Sequence, residues 1–186
     1  VSLKEPDGVK EGRTSIKMSV SLPQLYLGYK VNDSYMCGKD LLRTYMVSQM
    51  LMELFIGKGS KLYESLYADG IIDGSFDWQS EVEKKFSFLL MAGRTTDVDE
   101  LERRLTEGVD DLLENGVDRE DFDRVKRQIM GAFIRGFNSL EYITYNFLSY
   151  KLRGVSLLNS LEVANSISAE EVDAFAREVM TTVMPA

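Results

Sequence analysis

The sequence predicts an α+β fold in which a mostly antiparallel sheet carries helices packed on one face. Three observations point there. Apolar and polar residues alternate in the first third of the chain, and the spacing changes to three and four residues through the second half. Strands and helices are also not interleaved as they would be around a parallel sheet. The 186 residues, 44% of them hydrophobic, suit one domain large enough to bury about 70% of its unfolded surface.

The opening residues, VSLKEPDGVKEG, are polar and carry Pro6, Gly8 and Gly12 without periodicity. Residues 1–14 are therefore expected to be a linker or interdomain tail, and residues 15–186 a single domain. The chain begins at Val1 rather than methionine, the start expected of a piece of a longer protein or of a processed product.

From Ser15, the apolar residues Ile16, Met18, Val20 and Leu22 alternate with Ser15, Lys17, Ser19 and Ser21. This spacing predicts a half-buried strand. After Pro23 the alternation resumes through Leu25, Leu27, Tyr29 and Val31, with Gly28 a candidate bulge or close-approach site. Lys39 to Ile56 is apolar around most of a helical circumference, which predicts a central helix buried on several sides. Gly57-Lys58-Gly59 stops it, and a short helix from Ser60 to Ala68 follows. Ile71 to Gln79 and Lys84 to Ala92 are the next strand candidates, joined by Ser80-Glu81-Val82-Glu83.

The second half is helical. Val98, Leu101, Leu105, Val109 and Leu112 form one stripe, ending at Gly116 in the position that follows a helix C-terminus. Asp118 is placed as an N-cap with Val117 and Phe122 stapled across it, and Phe122, Val125, Ile129 and Phe133 form the next stripe. Helices are expected over Glu141 to Arg153 and Leu157 to Ala164. A last one opens on the capping box at Ser168 and Glu171 and runs to Met180.

Composition removes whole classes of chemistry. The chain has no histidine and one cysteine, Cys37, so it cannot assemble a Ser-His-Asp or Cys-His nucleophile, a histidine-ligated zinc, a four-cysteine zinc or an internal disulfide. A net charge of -8 and no basic run argue against nucleic-acid and anionic-membrane partners. No stretch approaches the roughly 20 apolar residues of a membrane helix, and no leader-like segment opens the chain. With a single cysteine, which suits a reducing compartment, this gives a cytoplasmic expectation.

No cluster rises to a catalytic site. GKGSK at Gly57 to Lys61 resembles part of a phosphate loop, but Gly59 stands where the Mg²⁺-binding hydroxyl belongs, and the segment follows a helix instead of a strand. Ser60 and Lys61, adjacent on a helix, point about 100° apart and do not form a dyad. The carboxylates Asp97, Asp99 and Glu100, and then Asp118, Glu120, Asp121 and Asp123, sit at helix N-termini, where capping accounts for them better than calcium. Tyr142, Tyr145, Phe147 and Tyr150 surround one helical rod and are expected in core or interface packing. Catalytic, cofactor-binding and metal-binding residues are accordingly expected to be none.

The segment GSKLYESLYADGIIDGSF, Gly59 to Phe76, resembles the non-catalytic homology domain of the M16 metallopeptidases, whose pattern runs Gly-Ser, Arg or Lys, Leu, then Leu-Arg and a later Gly-Leu-x-Tyr. LYLGYKV before the central helix, LLENGVDREDFDRVKRQIMGAF and ISAEEVDAFAREVM extend the likeness from about Leu25 to Met180. The resemblance implies the LuxS/MPP-like metallohydrolase fold and a protein of two αβ halves. The N-terminal half carries the zinc motif His-x-x-Glu-His, and this chain would be the inactive C-terminal one. It further implies zinc in the catalytic half or in a partner and none here. Its implied partners are that N-terminal half, a paralogous M16 subunit and unfolded peptide substrate. The family's assisting Arg falls at Tyr67 and its Tyr at about Asp73, so both positions depart from the pattern. The implied role is a catalytically inactive domain of a bacterial zinc metalloendopeptidase that closes the chamber and helps bind peptide. The alternatives are a structural scaffold subunit of the same fold and an unrelated α+β protein-binding module.

Overall fold

The computed structural model describes residues 12–31, 37–84, 86–157 and 159–181. Its elements are β1 (Gln24–Lys30), α1 (Gly38–Ile56), α2 (Lys61–Ala68), β2 (Asp77–Val82), β3 (Ser87–Arg94), α3 (Val98–Asn115), α4 (Arg119–Gly136), α5 (Leu140–Arg153), α6 (Asn159–Ser166) and α7 (Ala169–Met180). The three strands form one antiparallel sheet in the order β1-β3-β2, and helices pack on one of its faces, as the residue pattern predicts.

Alternation decides which side chains face those helices. Tyr29, Leu89, Met91, Ser80 and Val82 point inward and are buried, while Gln24, Tyr26, Asp77 and Gln79 point out. Against the inner face lies α1. Leu41, Leu42, Met46, Val47, Met50, Leu51, Met52, Phe55 and Ile56 are all buried there, so α1 is apolar nearly all round. It touches β2 and β3 on one side and α4, α6 and α7 on the others. Burying a large aliphatic side chain contributes roughly 1.5–3 kcal/mol, which makes this helix the centre of the core. Arg43 locks its solvent edge, donating to both Glu171 oxygens at 2.5 and 2.6 Å and to Ser166 Oγ at 2.9 Å.

The helix signals act where they were placed. Asp97 accepts from the Glu100 N–H, Asp118 from Glu120 and Asp121, and Ser168 from Glu171. Each meets donors that a helix start leaves unpaired. Gly116 and Gly154 close α3 and α5 with φ of +74° and +83°, which a side chain would strain. Phe122 and Val125 are buried, and Ile129 and Phe133 pack partly buried against the core.

Three expectations need correction. Ser15 to Leu22 is not a strand: the segment is unpaired, and Ile16, Met18 and Val20 are 79%, 71% and 53% exposed. Its alternation prepares one apolar face, but β3 ends at Arg94 opposite Gln24, so no strand among the described residues reaches far enough to cover it. Arg13 instead ties the segment to Asp99 and Glu102, at 3.5 and 3.0 Å. The second correction moves β2. Ile71 and Ile72 are buried, yet the strand begins at Asp77, because Asp73 and Ser75 form a side-chain-closed turn between them. Ser80 to Val82 belong to β2 and not to the connection, which is closed by Glu83 N–H to the Phe86 carbonyl at 3.0 Å. Ser80 reads as a turn residue, but it is buried and shares a 2.5 Å hydrogen bond with Ser48 of α1. β3 accordingly covers Ser87–Arg94 in place of Lys84 to Ala92. Third, α6 begins two residues later than expected, with Leu157 buried before it. Of the expected leading linker, residues 1–11 lie outside the described ones.

Candidate functional site

The residues singled out from the sequence converge on the loop after α1 and on the end of the sheet. Gly57 ends α1, its N–H bonded to the Glu53 carbonyl at 3.1 Å, and a side chain there would meet that oxygen at 2.4 Å. Ser60 then caps α2. Its hydroxyl is buried and accepts from the Tyr63 N–H at 3.1 Å, while the neighbouring Lys61 ammonium is exposed, 3.8 Å from Asp121. The pair is turned apart and engaged elsewhere, and the GKGSK loop is a helix junction.

Tyr67 and Asp73, the two positions expected to depart from the pattern the sequence resembles, flank the turn after α2. Tyr67 is 56% exposed and stacks on Tyr63 with ring centroids 6.2 Å apart. Asp73 accepts from the backbone N–H of Ser75 at 2.8 Å and from its hydroxyl, and pairs with Arg94 at 2.9 Å. The Ser75 hydroxyl and N–H, aided by the Arg94 charge, hold the Asp73 carboxyl below the ordinary carboxylate range. It is therefore an anion at neutral pH. Nearby, burial and then the carboxylates of Asp77 and Asp73, with Tyr67, push the Tyr63 phenol up.

Arg94 was missed in the sequence because it ends a strand read for its apolar run. It is the cation of this surface, donating to Ser75 Oγ at 3.2 Å as well as pairing with Asp73. A guanidinium closed onto a carboxylate presents little net positive field. The cluster thus fixes a turn against β3 and is poorly suited to stabilising an oxyanion. Beneath it, Phe76 is fully buried, and a side chain at Gly93 would lie 2.4 Å from the Phe76 Cα. That close approach positions the turn.

The other candidates resolve into structure. Both acidic clusters cap helices, and among the described residues no group of three or more His, Cys, Asp or Glu is placed to hold a metal. Without histidine, the residues present do not fit a catalytic zinc. Cys37 is exposed at the start of α1. The aromatics of α5 divide: Tyr150 is buried and Tyr142 meets Phe133 edge-on at 6.5 Å, whereas Tyr145 and Phe147 are 73% and 59% exposed. No helix among the described residues is long and apolar enough to cross a membrane.

A small antiparallel sheet, helices on one face and acidic residues at helix caps define an α+β domain. Comparison with known proteins makes this specific. Residues 2–129 match the family described as the peptidase M16 inactive domain. Over 172 residues, 91% of the chain, it is 31% identical to a Bacillus subtilis protein called uncharacterized zinc protease YmfH, of which it covers 40%. A crystal structure of an M16-like peptidase from Alicyclobacillus acidocaldarius superposes with a TM-score of 0.83 at 24% identity, over 87% of this chain and 38% of that one. A Bordetella parapertussis structure, described as the inactive peptidase domain of a zinc protease, superposes with a TM-score of 0.71 at 10% identity, over 89% of this chain and 88% of that one. The chain belongs to the M16 peptidase family, in the part described as its inactive domain, and spans about two fifths of the B. subtilis relative.

Proposed function

We propose that this chain is the catalytically silent half of an M16 zinc metalloendopeptidase, closing the reaction chamber and helping to hold an extended or unfolded peptide. Zinc belongs to an N-terminal half of the same protein, or to a paralogous partner, bearing His-x-x-Glu-His. The observation that carries this reading is the match to the inactive M16 domain in a chain that has no histidine. Residues 15–186 act as one domain behind a linker of residues 1–14, and the assembly works in the cytoplasm, where an exposed free thiol such as Cys37 is stable. The net charge of -8 favours cationic peptide segments.

Because Tyr67 is not arginine and Asp73 is an anion paired with Arg94, this half does not supply the family's assisting Arg and Tyr. A paralogous subunit supplies them, so hydrolysis requires both chains. Full-length protein assayed on an unfolded peptide is expected to be weak alone and active when mixed with its partner. Full activity of the lone protein would defeat this division of labour. Metal analysis of the 186-residue chain after dialysis is expected to find no stoichiometric Zn²⁺, and one tightly held zinc per chain would contradict the silent-half reading. The departures at Tyr67 and Asp73 also favour a second reading, a scaffold subunit of the same fold, which the mixing assay would reveal as no activity in either arrangement.

A further inference from the structure

Helix α5 has two apolar faces, and among the described residues only one of them is packed against neighbours. Tyr142, Ile143 and Tyr150 turn inward. On the opposite half Tyr145, Leu148 and Leu152 are 73%, 58% and 71% exposed, at the i, i+3, i+7 spacing of a helix-packing stripe. Leu140 and Phe147, 82% and 59% exposed, stand at another angle of the helix. Three large apolar side chains thus stand more than half in water in one row along a rod of about 21 Å. An exposed apolar row of this kind marks an interaction site.

Lys84, in the β2-β3 connection, donates to the Leu152 carbonyl at 3.2 Å and so stands at the C-terminal end of this row. The exposed half of α5 carries one acid and one base, Glu141 and Lys151, with Lys84 at its end. It is therefore not acidic in a chain of net charge -8. A second copy would bring eight further negative charges towards the first, which opposes self-association. The longer relatives, of which this chain covers 40% and 38%, carry further chain that a partner surface can come from.

We infer that the outward stripe Tyr145-Leu148-Leu152, with Lys84 at its end, is the surface on which the catalytic-type half of the M16 protein docks. This rests on the silent-half reading and adds to it the contact face. The partner supplies an apolar groove or helix face complementary to the stripe, with polar groups at its rim for Glu141, Lys151 and Lys84.

The test uses the whole two-half protein with a photo-crosslinking benzoylphenylalanine placed, one at a time, at Leu148, Met18 and Asp111. The expected result is capture of the catalytic-type half from Leu148, at least fivefold above capture from Asp111 on α3. The exposed double change Leu148→Glu with Leu152→Glu is expected to weaken association of the separately produced halves at least tenfold, with the circular dichroism of the variant unchanged. Capture of that half from Met18 but not from Leu148 would overturn the inference and leave the silent-half reading standing. Capture of a second copy of this chain from Leu148 would overturn the assigned occupant. Capture of the half from none of the three positions would bring down both the inference and the reading beneath it.

Discussion

Helices α1 and α5 have similar raw material and opposite fates. Both are dense in large hydrophobic side chains, yet α1 buries ten residues while α5 has Tyr150 as its buried large hydrophobic and leaves five others more than half exposed. The difference is one of neighbours. α1 is enclosed by the sheet and four helices, whereas α5 leans on the end of α4 through Phe133 and Tyr142, buries Tyr150 in the core and leaves its outer row exposed. Hydrophobic composition thus states what a helix needs covered, and the chain at hand decides whether the cover is supplied. The segment from Ser15 to Leu22 teaches the same lesson for a strand.

Substitutions can break or sharpen this contrast. The largest effect is expected at Leu51, which is fully buried on α1. Leu51→Ala should cost about 2–5 kcal/mol in urea unfolding of the isolated chain. If it cost no more than a surface change, α1 would not be the centre of the core.

Next comes alkaline pH. Burial, assisted by the Asp110 charge, pushes the Tyr29 phenol from 10.0 to about 12. The folded state therefore keeps a proton that the unfolded state releases. Stability is full below pH 10 and falls as pH rises from 10 to 12, by about 2–3 kcal/mol in all. Tyr29→Phe should make the curve of unfolding free energy against pH less steep in that range, and an unchanged slope would mean the phenol does not titrate differently on unfolding.

Gly93→Ala should cost about 1–3 kcal/mol, since its new methyl would lie 2.4 Å from the Phe76 Cα and one of the two backbones must shift. A neutral result would show that the turn carrying Asp73 is loose and not set by packing. Smaller still is the cap of α5. Ser139→Ala removes the acceptor of the Tyr142 N–H and should cost about 1 kcal/mol. The change should be seen as faster hydrogen exchange confined to α5, with α1 amides unaffected. Spread of that effect into α1 would mean the two helices share one cooperative unit.

The smallest effect is expected from Leu148→Ser, within about 0.5 kcal/mol in the isolated chain. A loss comparable to Leu51→Ala would show that α5 is covered by this chain after all.

Much of the architecture was legible because local chemistry specified it. Asp97, Asp118 and Ser168 were recognisable as caps, and Gly116 as a helix end, because each answers to backbone groups within a few residues of itself. The stripe Leu101, Leu105 and Val109 announced a buried face at helical spacing. What could not be read depends on partners distant in sequence. Ser80 looks like a turn residue until Ser48, 32 positions earlier, is placed opposite it. Arg94 looks like the end of an apolar run until Asp73 closes on it. Nor did the alternation of Ile16, Met18 and Val20 say whether a neighbouring strand exists. At the candidate site, Tyr67 and Asp73 could be singled out from the sequence, while the ion pair between Asp73 and Arg94 required the fold.

The buried Ser48–Ser80 hydroxyl contact also bears on how the hairpin finds its pairing. A slip of β2 by one residue would turn Ser80 outward and bring Gln79 or Glu81 against α1. Either would strand a longer polar group in an apolar layer, with Glu81 the more severe because a carboxylate without a counter-charge is costly to bury. Two small hydroxyls facing each other fit the layer where the longer Gln79 or Glu81 would not, so the packing of α1 on the sheet favours the native register over its one-residue neighbours.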